Sequence, residues 1–151
     1  MIIEVASNKG AICAEILATL PKWFGLPESN AAYKRDVEHM PMFAAVEDGR
    51  VLGFLALKVH TPHAVEVHVM GVRPEHHRSG IGRALIERAE TWVRAYGARF
   101  FTVKTLSSID PDPGYAKTRA FYASMRFVEI EELGTLWNPD NPAVMLAKYL
   151  G

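Results

Sequence analysis

Cysteine is nearly absent, with Cys13 standing alone. One thiol cannot close a disulfide within the chain or build a cysteine-rich zinc site. Long apolar runs are missing too, and no stretch nears the roughly 20 residues needed to span a bilayer. The start, Met1-Ile2-Ile3-Glu4-Val5, lacks a basic segment followed by a long apolar one, so no secretory signal is expected. Neither charge is in excess, because 17 basic residues balance 17 acidic ones. A neutral chain has no broad field for polyanions or anionic surfaces, which argues against nucleic-acid and membrane partners. Repeats, low-complexity tracts and linkers are also lacking. These absences leave the expectation of one soluble, cytoplasmic domain over residues 1–151.

There is enough apolar material for a core, since 49% of the 151 residues are hydrophobic. Ile2 to Val5 suits a short strand. Ser7 or Asn8 can cap a helix to about Leu20, with Ile12, Ile16, Leu17 and Leu20 on one face, and Pro21 ends it. Lys22-Trp23-Phe24-Gly25-Leu26-Pro27 is an apolar turn: either a plug for the core or the wall of a substrate pocket. A second helix spans about Ser29 to His39. The period then becomes two. Phe43–Val46 and Val51–Val59 flank the turn residues Asp48-Gly49, which reads as a hairpin. Ala64–Val72 forms a third strand, with Val65, Val67 and Val69 on one side and Glu66, His68 and Met70 on the other. After a loop, an amphipathic helix runs from about Gly80 to Tyr96, and Gly97 stops it. Phe100–Leu106 is a strand, Tyr115 to about Met125 a helix, and Arg126–Glu131 and Ala143–Tyr149 are the last strands, joined by a Pro- and Asn-containing loop. The order implies a mixed, mostly antiparallel α/β sheet of six or seven strands flanked by helices.

The loop is the stretch with most chemistry. Val72-Arg73-Pro74-Glu75-His76-His77-Arg78-Ser79-Gly80-Ile81-Gly82-Arg83 is basic and ends in Gly-x-Gly at the start of a helix. Close glycines let backbone approach a ligand that a Cβ would push away. The first N–H groups of the helix have no intrahelical partner, and the positive end of its dipole faces the loop. The combination suits a phosphate or pyrophosphate.

Two segments then carry a family resemblance. The loop is similar to the acyl-CoA pyrophosphate loop of the Gcn5-related N-acetyltransferases (GNAT superfamily), Gln/Arg-x-x-Gly-x-Gly/Ala, with His77 where that pattern has Gln or Arg. Tyr115-Ala116-Lys117-Thr118-Arg119-Ala120-Phe121-Tyr122-Ala123-Ser124-Met125-Arg126-Phe127 resembles the family's Ala-x-x-Phe-Tyr-x-x-x-Gly-Phe, with Arg126 where the glycine stands. The element order agrees over almost the whole chain.

The resemblance implies the acyl-CoA N-acyltransferase fold, acetyl-CoA as acyl donor, and transfer to a primary amine. It implies that Met70, Gly71 and Val72 hold the pantetheine arm through their backbone. It assigns the pyrophosphate to the backbone of His77, Arg78, Ser79, Gly80, Ile81, Gly82 and Arg83. Gly71, a glycine within a β-branched run, suggests a bulge or a close backbone approach, and its neighbourhood supplies the N–H that would polarise the thioester. Glu66 aligns with the general base of one family branch, and His68 with a histidine of another. Tyr122 stands where the family has a general acid, with Phe121 assigned to the core. Arg78, Arg83 and Lys117 can meet phosphates, whereas Arg119 and Arg73 fit better on a solvated face.

Trp23 and Phe24, with the first two helices and the region around Trp137, are the expected acceptor contacts. They point to a small, partly apolar amine, and Glu28, Asp36 and Glu38 offer it negative charge. A homodimer is compatible with this reading. The rival is a non-catalytic acyl-CoA-binding or sensing domain on the same fold. A dinucleotide fold fits less well, because the third glycine of Gly-x-Gly-x-x-Gly falls at Leu85. No Gly-Lys-Ser/Thr follows for a P-loop. No metal is expected: His60, His63, His68, His76 and His77 match no ligand spacing.

Overall fold

A computed structural model describes residues 1–138 and 140–151, and for residue 138 only the backbone. Among the described residues there are seven strands and four α-helices: β1 Ile2–Glu4, α1 Lys9–Leu17, α2 Pro27–Asp36, β2 Met42–Glu47, β3 Arg50–Thr61, β4 Ala64–Val72, α3 Ile81–Tyr96, β5 Phe100–Leu106, α4 Pro113–Ser124, β6 Val128–Asn138 and β7 Asn141–Tyr149. The chain forms two compact units, Met1–Lys58 with Val67–Trp92 and Val59–Glu66 with Val93–Gly151. Among the described residues no helix is long and apolar enough to cross a membrane.

In the first unit β1 pairs antiparallel with β2, and β2 with β3. The hairpin turns at Asp48 and Gly49, which both have positive φ, so Glu47 faces Arg50 across a two-residue loop. That geometry matches the right-handed twist of the flanking strands, and Asp-Gly tolerates it. On one side lies a core of Val5, Cys13, Ile16, Leu17, Leu20, Val37, Met42, Ala44, Phe54, Ala56 and Val69. Elsewhere Arg88 of α3 lies over the Phe43 ring, 4.6 Å from its centroid, and pairs with Glu4 at 3.4 Å.

Helix α1 departs from expectation at both ends. Asn8 is at the N-cap position, but its φ is 59° and its side chain makes no capping bond. Glu38 caps the helix from afar, accepting from the Gly10 N–H at 2.8 Å. The regular helix stops at Leu17, and Thr19 and Leu20 donate to carbonyls three residues back. The second helix begins at Pro27, whose missing N–H costs nothing at a first turn, and it tightens into a 3-10 turn over Val37–His39.

In the second unit the strand order is β5-β7-β6, all antiparallel. β5 pairs with β7 in unbroken register from Phe100 opposite Tyr149 to Leu106 opposite Ala143. Strand β6 is longer than its sequence suggests. It continues through Trp137, with register slips after Glu129 and Leu133, so most of the expected loop is strand. Pro139 of that expected loop lies outside the described residues.

The end of α4 has the shape of a glycine-closed helix. Arg126 replaces a glycine, yet the turn that glycine would make is present. Arg126 has φ 72°, its N–H donates to the Ala123 carbonyl, and the Phe127 N–H donates to that of Tyr122. This 6→1 and 5→2 pair of bonds closes the helix, and the Phe127 ring packs on Tyr122 at 5.6 Å, the apolar contact that such ends commonly carry.

Candidate active site

The loop after β4 lies in the first unit. Arg73 opens it as a buried tie, not as part of a solvated face. It is 6% exposed, and its guanidinium donates to the Val51 carbonyl at 2.8 Å and to Glu15 at 2.7 Å. A 3-10 turn over Pro74–His76 follows. His77 spends its backbone N–H on the Pro74 carbonyl, and its Nε2 lies 2.7 Å from the Val72 carbonyl. A carbonyl only accepts, so that nitrogen carries the proton. The His77 ring also meets Trp23 edge-on, with centroids 5.6 Å apart. His77 is therefore a brace between β4, the loop and the aromatic turn, and little of it is left over for a phosphate.

Arg78 and Gly80 have φ of 64° and 87°, and the Ser79 hydroxyl donates to the His76 carbonyl. Nothing lies within 4 Å of where a Gly80 Cβ would stand. The first bond closing α3 runs from the Ala84 N–H to the Gly80 carbonyl. The N–H groups of Ile81, Gly82 and Arg83 belong to that open first turn. Arg83 pairs only loosely with Glu87, at 3.9 Å and exposed. An open, left-handed glycine, a helix start and two arginines fit a pyrophosphate, so the residues present suit the group that the loop's pattern implies.

Gly71 has a packing reason of its own. A Cβ there would meet Ile16 and Leu20 of α1, each at 3.0 Å. The close approach expected at this glycine is made by the helix. Met70 and Val72 flank it, both half-buried.

A row of rings crosses the same unit. Phe24 meets Tyr33 at 6.0 Å, and Tyr33 meets His68 at 5.5 Å, both edge-on. Nε2 of His68 lies 3.1 Å from Asp36, whose side chain is about half exposed. Asp36 was expected to offer negative charge to the acceptor, whereas Tyr33 was not singled out, although the i, i+3 spacing puts both on one side of α2. Glu38, expected to attract a cation, is occupied by the cap of α1.

Glu66 lies in the second unit with partners that sequence reasoning missed. It is 6% exposed, with one carboxylate oxygen 2.6 Å from His60 Nε2 and the other accepting from Lys104 Nζ at 2.8 Å. Burial pushes its carboxyl up, but the hydrogen bonds from Lys104 and His60 and the charge of Lys104 outweigh that, and its pKa lies below the usual carboxylate range. The available signal was a lysine within Phe100-Phe101-Thr102-Val103-Lys104-Thr105-Leu106, an otherwise uncharged strand. Glu66 and His68 were expected to act as neighbours on one face, yet each has its own set of partners.

Tyr122 is 5% exposed, between Phe121 at 5.3 Å and Phe127 at 5.6 Å. Of the Phe121-Tyr122 pair the tyrosine is the more buried, and Phe121, expected in the core, is half-buried. Burial pushes its hydroxyl pKa well above the ordinary phenol range, so it stays protonated at working pH. Lys117 is exposed on α4. Arg119 donates to the Leu106 carbonyl at 2.8 Å and so ties α4 to the end of β5. Among the described residues no three His, Cys, Asp or Glu side chains come together as a metal site.

Comparison with known proteins completes the description. The profile of the acetyltransferase (GNAT) family matches residues 12–126. An uncharacterized N-acetyltransferase of Chlorobaculum tepidum is 31% identical over 97 residues, 64% of this chain and 56% of its own length. The match thus spans little more than half of that relative. An aminoglycoside 6'-N-acetyltransferase solved with coenzyme A superposes with a TM-score of 0.79 at 19% identity, over 100% of this chain and 97% of its own. The ribosomal-protein-S18-alanine N-acetyltransferase of Escherichia coli gives 0.80 at 19%, over 100% and 94%. These likenesses show a shared mixed α/β fold.

Proposed function

Because this chain belongs to the acetyltransferase (GNAT) family, we propose that it moves an acetyl group from acetyl-CoA to a primary amine, with residues 1–151 acting as one catalytic domain. The observation that carries the reading is the open Gly80 turn at the start of α3, inside the segment that matches the family. When bound, acetyl-CoA supplies the thioester acyl group. The backbone of Arg78 through Arg83 holds its pyrophosphate, with Arg78, Arg83 and Lys117 adding charge, and His77 braces the loop from behind. Met70, Gly71 and Val72 offer backbone groups to the arm, and an N–H near Gly71 polarises the carbonyl.

An ammonium is not a nucleophile, so a proton must leave the acceptor. Glu66 and His68 are the two candidates that the family pattern offers for that step. Glu66 has both oxygens engaged and a lowered pKa, so it takes the proton poorly by itself and acts through its partners. Tyr122 returns a proton to the departing thiolate, a role that its protonated state suits.

The acceptor is a small amine with an apolar part. Trp23, Phe24 and Tyr33 give aromatic surface, and Asp36 sits beside them with a negative charge. The aminoglycoside enzyme on this fold acts on a small molecule, and the Escherichia coli enzyme acts on a protein alanine, so the fold alone does not choose. The protein is expected in the cytoplasm, with neither nucleic acid nor membrane as partner, no metal in the reaction, and a homodimer to be checked by sedimentation.

The test is release of free thiol from acetyl-CoA with a panel of metabolite amines and N-terminal peptides. Turnover with small amines, lost in Tyr122→Phe while acetyl-CoA still binds, is the expected result. Turnover with peptides alone would overturn the acceptor assignment. Binding without turnover would favour an acyl-CoA-sensing domain.

A further inference from the structure

Glu66 is buried, and Lys104 alone would neutralise it at 2.8 Å. A second partner is therefore not needed for charge balance. Yet His60 occupies the other oxygen at 2.6 Å, and its side chain is 37% exposed. An ionised carboxylate only accepts, so His60 Nε2 carries a proton, and in the neutral ring Nδ1 keeps its lone pair. Because Lys104 provides the positive charge, the ring can stay neutral and still satisfy the pair. The result is an imidazole whose tautomer and orientation are set by a buried carboxylate, the arrangement that suits a proton acceptor. The second such pair, His68 with Asp36, is longer at 3.1 Å, and its carboxylate is about half exposed.

Resting on the acetyltransferase reading above, we propose that His60 is the general base, held by Glu66 and Lys104, and that it takes the ammonium proton of the acceptor on Nδ1. The freed amine forms the C–N bond as the C–S bond breaks. The second amine proton reaches the departing thiolate by way of Tyr122, and the His60 imidazolium releases its proton to water. Acyl donor and ammonium become amide, free thiol and one proton. Glu66 is held by His60 on one oxygen and by Lys104 on the other.

The experiment follows kcat/KM for thiol release against pH, from about pH 5 to 9, in wild type, His60→Gln, His68→Gln and Lys104→Met, with acetyl-CoA binding measured in parallel. His60→Gln is expected to bind acetyl-CoA unchanged, to lose about a hundredfold in kcat/KM, and to lose the acidic limb of the profile. With hydroxylamine, largely unprotonated at neutral pH, the loss shrinks below about tenfold. In Lys104→Met the ring becomes the counter-charge of Glu66, so the acidic limb moves to higher pH. A structural role for His60 would produce neither the flattened limb nor the shift. An unaltered limb in His60→Gln, or a limb removed by His68→Gln alone, would overturn the proposal. A wild-type protein that binds acetyl-CoA but transfers to no acceptor, hydroxylamine included, would refute the acetyltransferase reading itself.

Discussion

Arg126 holds a left-handed backbone that a glycine adopts without strain. For a residue with a Cβ that region costs about 1 kcal/mol. Arg126→Gly is therefore expected to raise stability by about that much, less what glycine loses in unfolded-chain entropy. A urea midpoint shifted upward at unchanged slope would show it. Glu66 gives the second residue-scale expectation. Its folded pKa lies below the unfolded one, near 4.3, so its pairing stabilises the fold above that pH and is lost as pH falls through the folded value. Glu66→Gln should melt below wild type at neutral pH, and the gap should close on acidification. A constant gap would mean that the carboxylate charge contributes nothing. Neither feature follows from residue type alone, because the same arginine or glutamate on an open surface would be unremarkable.

At the scale of elements, the seat of α1 depends on one missing side chain. A Cβ on Gly10 would lie 2.8 Å from the Lys34 carbonyl of α2 and would also press on Glu38, the carboxylate that caps α1. Gly10→Ala should therefore destabilise by roughly 1–3 kcal/mol, although alanine is the better helix former. Stabilisation on that change would show that α2 can move away. Glu38→Gln keeps the shape but loses charge at a helix start, and it should cost about 1 kcal/mol. Thermal unfolding of the two single variants and the double variant would show whether they act through one contact. The sequence marks Asn8 as the cap and Glu38 as a solvated face. Only the approach of Gly10 and Glu38, 28 residues apart, assigns the carboxylate to that duty.

For the whole molecule, 17 positive and 17 negative charges leave no long-range field. Acetyl-CoA binding then depends on local groups. Raising salt from about 50 to 500 mM should weaken it only modestly, and Arg78→Ala with Arg83→Ala should remove most of that dependence. Calorimetry at the two salt concentrations checks this. Duplex DNA should not bind at physiological salt, and retention in a filter assay would contradict the neutral-surface argument.

The linear chain by itself determined the order and kind of the elements, the Asp48-Gly49 hairpin, the Gly97 stop and the glycine loop. These depend on local propensity and short-range period, which a handful of neighbouring residues encode. The boundaries of β6, the turn at Arg126, the buried tie of Arg73 and the partners of Glu66 were decided by tertiary structure. The tie of Arg73, the partners of Glu66 and the cap of α1 arise where a residue meets one distant in sequence: Arg73 with Glu15, Glu66 with Lys104, Gly10 with Glu38. The physical reason is common to all of them. A buried polar group must find a partner, and that partner is set by which strands and helices come side by side, not by what stands next to it in the chain.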